Sequence, residues 1–122
     1  MNERRNTMKI IWNQKEYEVI LDHNTTVDHI VSQLPLKLTF QEYASHEYYS
    51  ELPFTPVFDQ TRTTFVKAGH LYYWDGWNAF VFNYIDSDIS PYHVVHIGGF
   101  KDHSIIKELE KAEKYIELEV ID

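Results

Sequence analysis

Side chains able to do chemistry are plentiful in this chain, but few are spaced to act together. Its seven histidines invite a metal centre. His93 and His96 lie three apart on a segment that reads as a strand, so they point to opposite faces and share no ion. His23 and His29 fall on opposite sides of a helix start. His46 has Glu42, Glu47 and Glu51 near it in sequence, with no spacing that fixes a ligand geometry. Asp86-x-Asp88-x-Ser90 opens like a calcium loop, but its sixth position is Pro91 in place of glycine and its twelfth is Ile97 in place of glutamate. A solvated turn is the better reading. Glu42, Glu47, Glu51 and Asp59 are carboxylates available for acid–base work, against their ordinary role in surface solubility. The absence of cysteine excludes disulfides, thiolate nucleophiles and iron–sulfur ligation. No serine sits in a nucleophile-elbow context, and the four glycines form no phosphate loop. Neither a metal site nor a cofactor is expected.

The aromatic residues carry more. Tyr72, Trp74, Trp77 and Tyr92 bring flat, amphipathic rings to one stretch of chain, a composition suited to a peptide or small ligand. Packing of a β core is the competing role for each of them, because aromatics fit pleated, half-buried surfaces. Arg62 is the sole arginine outside Arg4 and Arg5, and it is the one charged group of its kind that can be expected near a groove. A net charge of −8 repels phosphate backbones and anionic lipid, so nucleic acid and membrane are not expected partners. No run approaches the roughly 20 apolar residues of a membrane helix. Nor does an apolar segment follow the charged residues of the N-terminus as in an export signal. The expected organisation is a flexible tail over 1–7 and one domain over 8–122, in the cytoplasm.

The elements that must position these groups are mostly strands. Met8 to Asn13 and Glu16 to Leu21, joined by a short polar turn, predict a hairpin. Val27, Ile30, Val31 and Leu34 recur at helical spacing behind a Thr25 N-cap, with Pro35 as the stop. Leu36, Leu38 and Phe40 alternate as a half-buried strand. From Glu42 to Phe65 no period persists, and a segment so long is functional or carries short extra strands. His70 to Trp74 and Asn78 to Tyr84 are the clearest strands, with Asp75-Gly76 as a hairpin turn between them. Asp86 to Pro91 is a polar loop, and a short strand over His93 to Ile97 closes at Gly98-Gly99. Asp102 or Ser104 caps a second helix with Ile105, Ile106, Leu109 and Ala112 on its apolar face. Tyr115 to Ile121 is the last strand. The layout is mainly β, a closed barrel with two short α-helices.

Several of these segments resemble a known family. Leu34-Pro35-Leu36-Lys37-Leu38-Thr39-Phe40-Gln41-Glu42-Tyr43, Leu52-Pro53, the hairpin from Ala68 to Phe82 and His96-Ile97-Gly98-Gly99-Phe100 are similar to motifs of the bacterial cyclophilin-like domain family, in the same order. The resemblance implies a small cyclophilin-like barrel in a family of largely unassigned function. Two departures stand out. Asp75-Gly76-Trp77-Asn78 replaces a proline–tryptophan–glycine turn, and Gly99 replaces an arginine. The strand Lys37 to Gln41 also lacks the arginine that true cyclophilins place on the comparable strand, which leaves Arg62 as the weak catalytic candidate. Fold alone does not deliver activity. The first expectation is a non-catalytic binding module with an aromatic groove for a peptide segment or small ligand, formed by Phe40, Tyr43, Tyr72, Trp74, Trp77, Asn78 and Tyr92. The second is a weak peptidyl-prolyl isomerase using Arg62. The third is a protein-interaction or assembly unit with those aromatics at an interface, and the oligomeric state stays open.

Overall fold

The computed structural model describes residues 6–122. Of the expected tail, residues 1–5, with Arg4 and Arg5, lie outside the described residues. Thr7 is already the first residue of β1 (Thr7–Trp12), paired with Ile20 of β2 (Lys15–Leu21). Asn13 and Gln14 both take positive φ (51° and 63°). This primed turn matches the twist of the flanking strands.

Helix α1 (Thr25–Ser32) is capped one residue earlier than expected. Asn24, not Thr25, is the N-cap, and its side chain accepts from the Val27 amide. Thr25 is instead held from outside, its amide and hydroxyl both donating to Asp59. Strand β3 (Leu36–Tyr43) follows and turns into β4 (Glu47–Glu51), which lies in the segment that reads as irregular. Only Tyr48 and Ser50 of β4 turn inward, so the buried face offers a single large apolar residue to any search for period two. The remaining strands are β5 (Phe65–Val66), β6 (His70–Trp74), β7 (Ala79–Asn83), β8 (Ser87–Asp88), β9 (Val95–Phe100) and β10 (Tyr115–Ile121). Helix α2 (Ser104–Glu110) precedes β10, and Asp102 accepts from the Ser104 amide at its start.

Two boundaries differ from expectation for physical reasons. Asp75 and Gly76 do not form a two-residue turn; Asp75–Trp77 is one 3-10 turn, and Asn78 closes it in the left-handed region at φ 50°. Gly98 and Gly99 do not end β9 but continue it. A Cβ on Gly98 would stand 2.4 Å from the Ile20 carbonyl oxygen, so only glycine lets β9 come this close to β2.

Eight antiparallel strands close in the order β1-β10-β3-β4-β7-β6-β9-β2 and back to β1, and β5 and β8 form a separate two-stranded sheet. The barrel interior is packed, not hollow. Phe40, Phe80, Phe82 and Phe100 form one chain of rings, with centroids 4.6 Å apart for Phe40–Phe82, 5.2 Å for Phe80–Phe82 and 5.5 Å for Phe82–Phe100. Val27 and Ile30 of α1 and Ile105 and Leu109 of α2 join the same cluster. Val66, Tyr72, Ala79, Val81 and Val94 make a second, smaller cluster outside the barrel wall. Both faces of β7 are therefore covered, and all five of its residues are buried.

Candidate functional site

Alternation along four neighbouring strands builds one surface. Residues two apart on a strand share a face. On β7, Phe80 and Phe82 enter the barrel, so Ala79, Val81 and Asn83 face out. Across the ladder, Asn83 pairs with Glu47 and Val81 with Tyr49 on β4, and Tyr43 of β3 pairs with Glu47. On the other side Val81 pairs with Tyr72 of β6, and Trp74 lies further along the same face. The outer wall of β3, β4, β7 and β6 is thus a platform of tyrosine, tryptophan and valine. The segment from Ser87 to Val94 roofs part of it and leaves an open cavity of about 600 Å³, within the usual range of small-molecule sites.

The structure brings Tyr43, Tyr72, Trp74, Trp77 and Tyr92 together around this groove. The ring of Trp77 is the hub. It lies 4.8 Å from Trp74, 5.0 Å from Tyr43 and 5.0 Å from Tyr49, and Trp74 in turn meets Tyr92 edge-on at 5.7 Å. Trp77, Tyr43 and Tyr92 remain 41%, 43% and 59% exposed, so their faces are free for a ligand. Tyr72 is floor: it is buried, and its hydroxyl accepts from the Lys67 amide. Burial raises the pKa of that hydroxyl.

Phe40 and Asn78 are not part of the groove. Phe40 is fully buried among the barrel phenylalanines, because its position on β3 turns it inward. The Asn78 side chain is consumed by the fold. Its Oδ1 accepts from the Tyr73 hydroxyl (2.7 Å), and its Nδ2 donates to the carbonyls of Phe54 (2.8 Å) and Leu52 (3.2 Å). Arg62 does not reach the groove either. Its guanidinium lies 3.8 Å over the Phe58 ring, its Nε donates to the Asp59 carbonyl, and it borders a different cleft of about 130 Å³. Among the described residues no arginine or lysine lines the aromatic groove.

The polar end of the groove is formed by His46, Glu47 and Asp88, which sequence alone does not place beside the aromatic rings, and by Asn83, which it does not single out. His46 Nδ1 faces the Ala44 carbonyl at 3.1 Å, while Nε2 stands 2.7 Å from Glu47 Oε1. Both ring nitrogens thus meet oxygen acceptors, an arrangement that favours the imidazolium. The Glu47 carboxylate beside Nε2 accordingly holds the His46 pKa above its usual value, against the opposing effect of burial. Asp88 accepts from the Ser90 amide and hydroxyl, which lowers its pKa and fixes the rim. Asn83 lies beside them, 1% exposed, with no hydrogen-bond partner for Oδ1 or Nδ2. A polar residue continuing the outward face of the strongest predicted strand is the one signal in the sequence that points to it.

A second constellation lies outside the groove. Asp22 Oδ2, His96 and His70 form a hydrogen-bonded chain, with 2.9 Å from Asp22 to His96 Nδ1 and 2.9 Å from His96 Nε2 to His70 Nδ1. The His70 ring lies over Gly99, the position that departs from the family's arginine, and a Cβ there would stand 3.0 Å from the ring. Burial, then the neighbouring His96, pushes the His70 pKa down. At Asp22 burial acts upward, but the hydrogen bonds from His96 and His23 outweigh it and lower the pKa. His93 precedes β9 and is not on a strand with His96.

Comparison with known proteins adds a family and a fold. A model described as the cyclophilin-like family matches residues 10–120. A solution structure of a hypothetical protein from Archaeoglobus fulgidus is similar with a TM-score of 0.71 at 22% sequence identity, covering 99% of this chain and 98% of that one. No curated protein matches the chain.

Proposed function

The chain belongs to the cyclophilin-like family, and from that premise we propose that it is a non-catalytic binding module whose aromatic groove takes an extended peptide segment or a small ligand. The observation that carries this reading is the open, ring-walled cavity of about 600 Å³ around Trp77. Trp74, Trp77, Tyr43 and Tyr92 offer large flat contact area with few torsions to freeze, which is how rigid aromatic residues act as binding anchors. The platform beneath them is the wall of a packed barrel, so the site is preorganised. The net charge of −8 and, among the described residues, the lack of lysine and arginine along the groove favour neutral or cationic ligands over anions.

Trp77→Ala tests the reading. The indole packs on Trp74, Tyr43 and Tyr49 but is two-fifths exposed and outside both core clusters, so the variant is expected to stay folded with its thermal midpoint lowered by roughly 5–10 °C. Titration with a panel of proline-rich and aromatic peptides and heteroaromatic fragments, followed by indole N–H shifts, is expected to find binders for the native chain and at least tenfold weaker binding for the variant. Binders that hold equally well to Trp77→Ala place the site elsewhere.

A further inference from the structure

Asn83 is the feature of the groove that packing does not explain. Its side chain projects from β7 on the same face as Val81, toward the groove, and is 1% exposed. Neither amide atom has a partner. Leaving such a group buried and unpaired forfeits its hydration without a return, and native interiors hold few of them. An apolar residue at this place would join Val81, Val66 and Val94 at no such cost. Of the polar neighbours of Asn83, Asp88 holds Ser90 and the Tyr72 hydroxyl holds Lys67. His46 Nδ1 faces the Ala44 carbonyl, and its Nε2 is in ion-pair contact with Glu47 but, like the Asn83 amide, has no hydrogen-bond partner.

We infer that Asn83 is the specificity residue of the groove and reads a planar nitrogen heterocycle that carries an N–H donor beside a C=O acceptor, the edge of a cyclic amide, with the ring held against Trp74 and Trp77. The inference rests on the groove being a ligand site. A carboxamide presents one acceptor and one donor side by side, and its complement is an edge with donor and acceptor on adjacent atoms pointing the same way. A ring amide is locked cis and has that edge. A trans peptide linkage directs its N–H and C=O to opposite sides, so no single peptide unit satisfies both atoms. The terminal torsion of asparagine is broad, so the amide turns to meet the ring without movement of β7. The tilted indoles of Trp74 and Trp77, 4.8 Å apart, supply flat surface for such a ring. Among the described residues no lysine or arginine lines the groove, and the His46 imidazole is already set against Glu47, so the free heterocycle is the expected form over a phosphate-bearing one.

The test uses the full chain and three fused bicyclic probes: 2-quinolone, which has the edge; N-methyl-2-quinolone, in which the donor is replaced by a methyl group; and naphthalene, which has neither donor nor acceptor. Indole and Asn83 side-chain signals are followed by NMR during titration. All three are expected to shift the Trp77 indole, with 2-quinolone at least tenfold tighter than the other two. That advantage is expected to vanish in Asn83→Leu; if this variant does not fold, the native comparison of 2-quinolone with its N-methyl form decides alone. Equal affinities for the three probes overturn the cyclic-amide inference and leave the aromatic groove standing. An advantage that persists in Asn83→Leu removes the role from Asn83. Absence of indole shifts with every probe overturns the inference and the groove reading together.

Discussion

At the scale of single residues, the same side-chain type serves opposite ends in this molecule. Asn78 and Asn83 bracket β7. The first has both amide atoms bonded to protein and the second has neither. Asn78 also takes the left-handed conformation at φ 50°, which asparagine tolerates better than alanine. Asn78→Ala leaves the Tyr73 hydroxyl without its acceptor, strips the Leu52 and Phe54 carbonyls of their donor, and strains the backbone. The expected loss is about 3 kcal/mol. Asn78→Gly loses the same hydrogen bonds without the strain and is expected to lie about 1 kcal/mol above the alanine variant. Urea denaturation midpoints give the order directly; an alanine variant at or above the glycine variant contradicts it. Because Asn78 does not line the groove, the proposed binding is expected to be unchanged in folded protein of either variant.

Elements follow a logic that is local in some places and long-range in others. The hairpin of β1 and β2, both helices, β6, β7 and β10 are legible because each carries its own period: Tyr17, Val19 and Leu21 in one strand, Leu71 and Tyr73 in another. Three groove residues, Tyr72, Trp74 and Trp77, are legible for the same reason, since large rings cluster along β6 and its following turn; Tyr43 ends β3 and Tyr92 lies in the loop before β9. Strand β4 is not legible. Its inward face is Tyr48 and Ser50, and what makes it a strand is its pairing on both edges with β3 and β7. The polar end of the groove sits at the start of β4, so His46 and Glu47 read as neighbours in sequence without a placement beside the aromatic rings. Phe40 is misplaced when read alone, because alternation shows two faces without saying which one looks inward. The glycine pair misleads in the same way. It reads as punctuation, yet Gly98 is where β9 presses on the Ile20 carbonyl. Gly98→Ala must push β2 and β9 apart at one seam of the closed barrel. A loss of about 3 kcal/mol is expected, at the upper end for overpacking, with slowed-exchange amides of β2 and β9 losing protection first. An unchanged unfolding midpoint would mean that this seam has slack.

For the whole molecule, titration sums effects of opposite sign. His70 has its pKa lowered by burial, so its contribution is present above the unfolded value of 6.5 and drains away as pH falls through and below it. His46 has its pKa raised by Glu47, so its contribution is complete below 6.5 and is lost as pH rises through its higher folded value. Asp59, held down to about 2 by the amide of Thr61 and by Thr25, contributes above 3.8 and fails in strong acid. Near neutrality the two histidines offset each other, so a shallow stability profile is expected between pH 7.5 and 5.5, followed by a steep fall below pH 4. The single variants separate the two. Relative to the native chain, His70→Gln is expected to gain stability on acidification from 7.5 to 5.5, and His46→Gln to lose it. Denaturant midpoints at the two pH values suffice, and parallel shifts for both variants would refute the assignment. Strand β7 carries a consequence of another kind, one of inheritance. Its even positions, Phe80 and Phe82, belong to the barrel, and its odd positions, Val81 and Asn83, belong to the groove. Mutation can rewrite the odd positions without disturbing the even ones, so descendants of this chain are free to change the chemistry of the groove while keeping the barrel that shapes it.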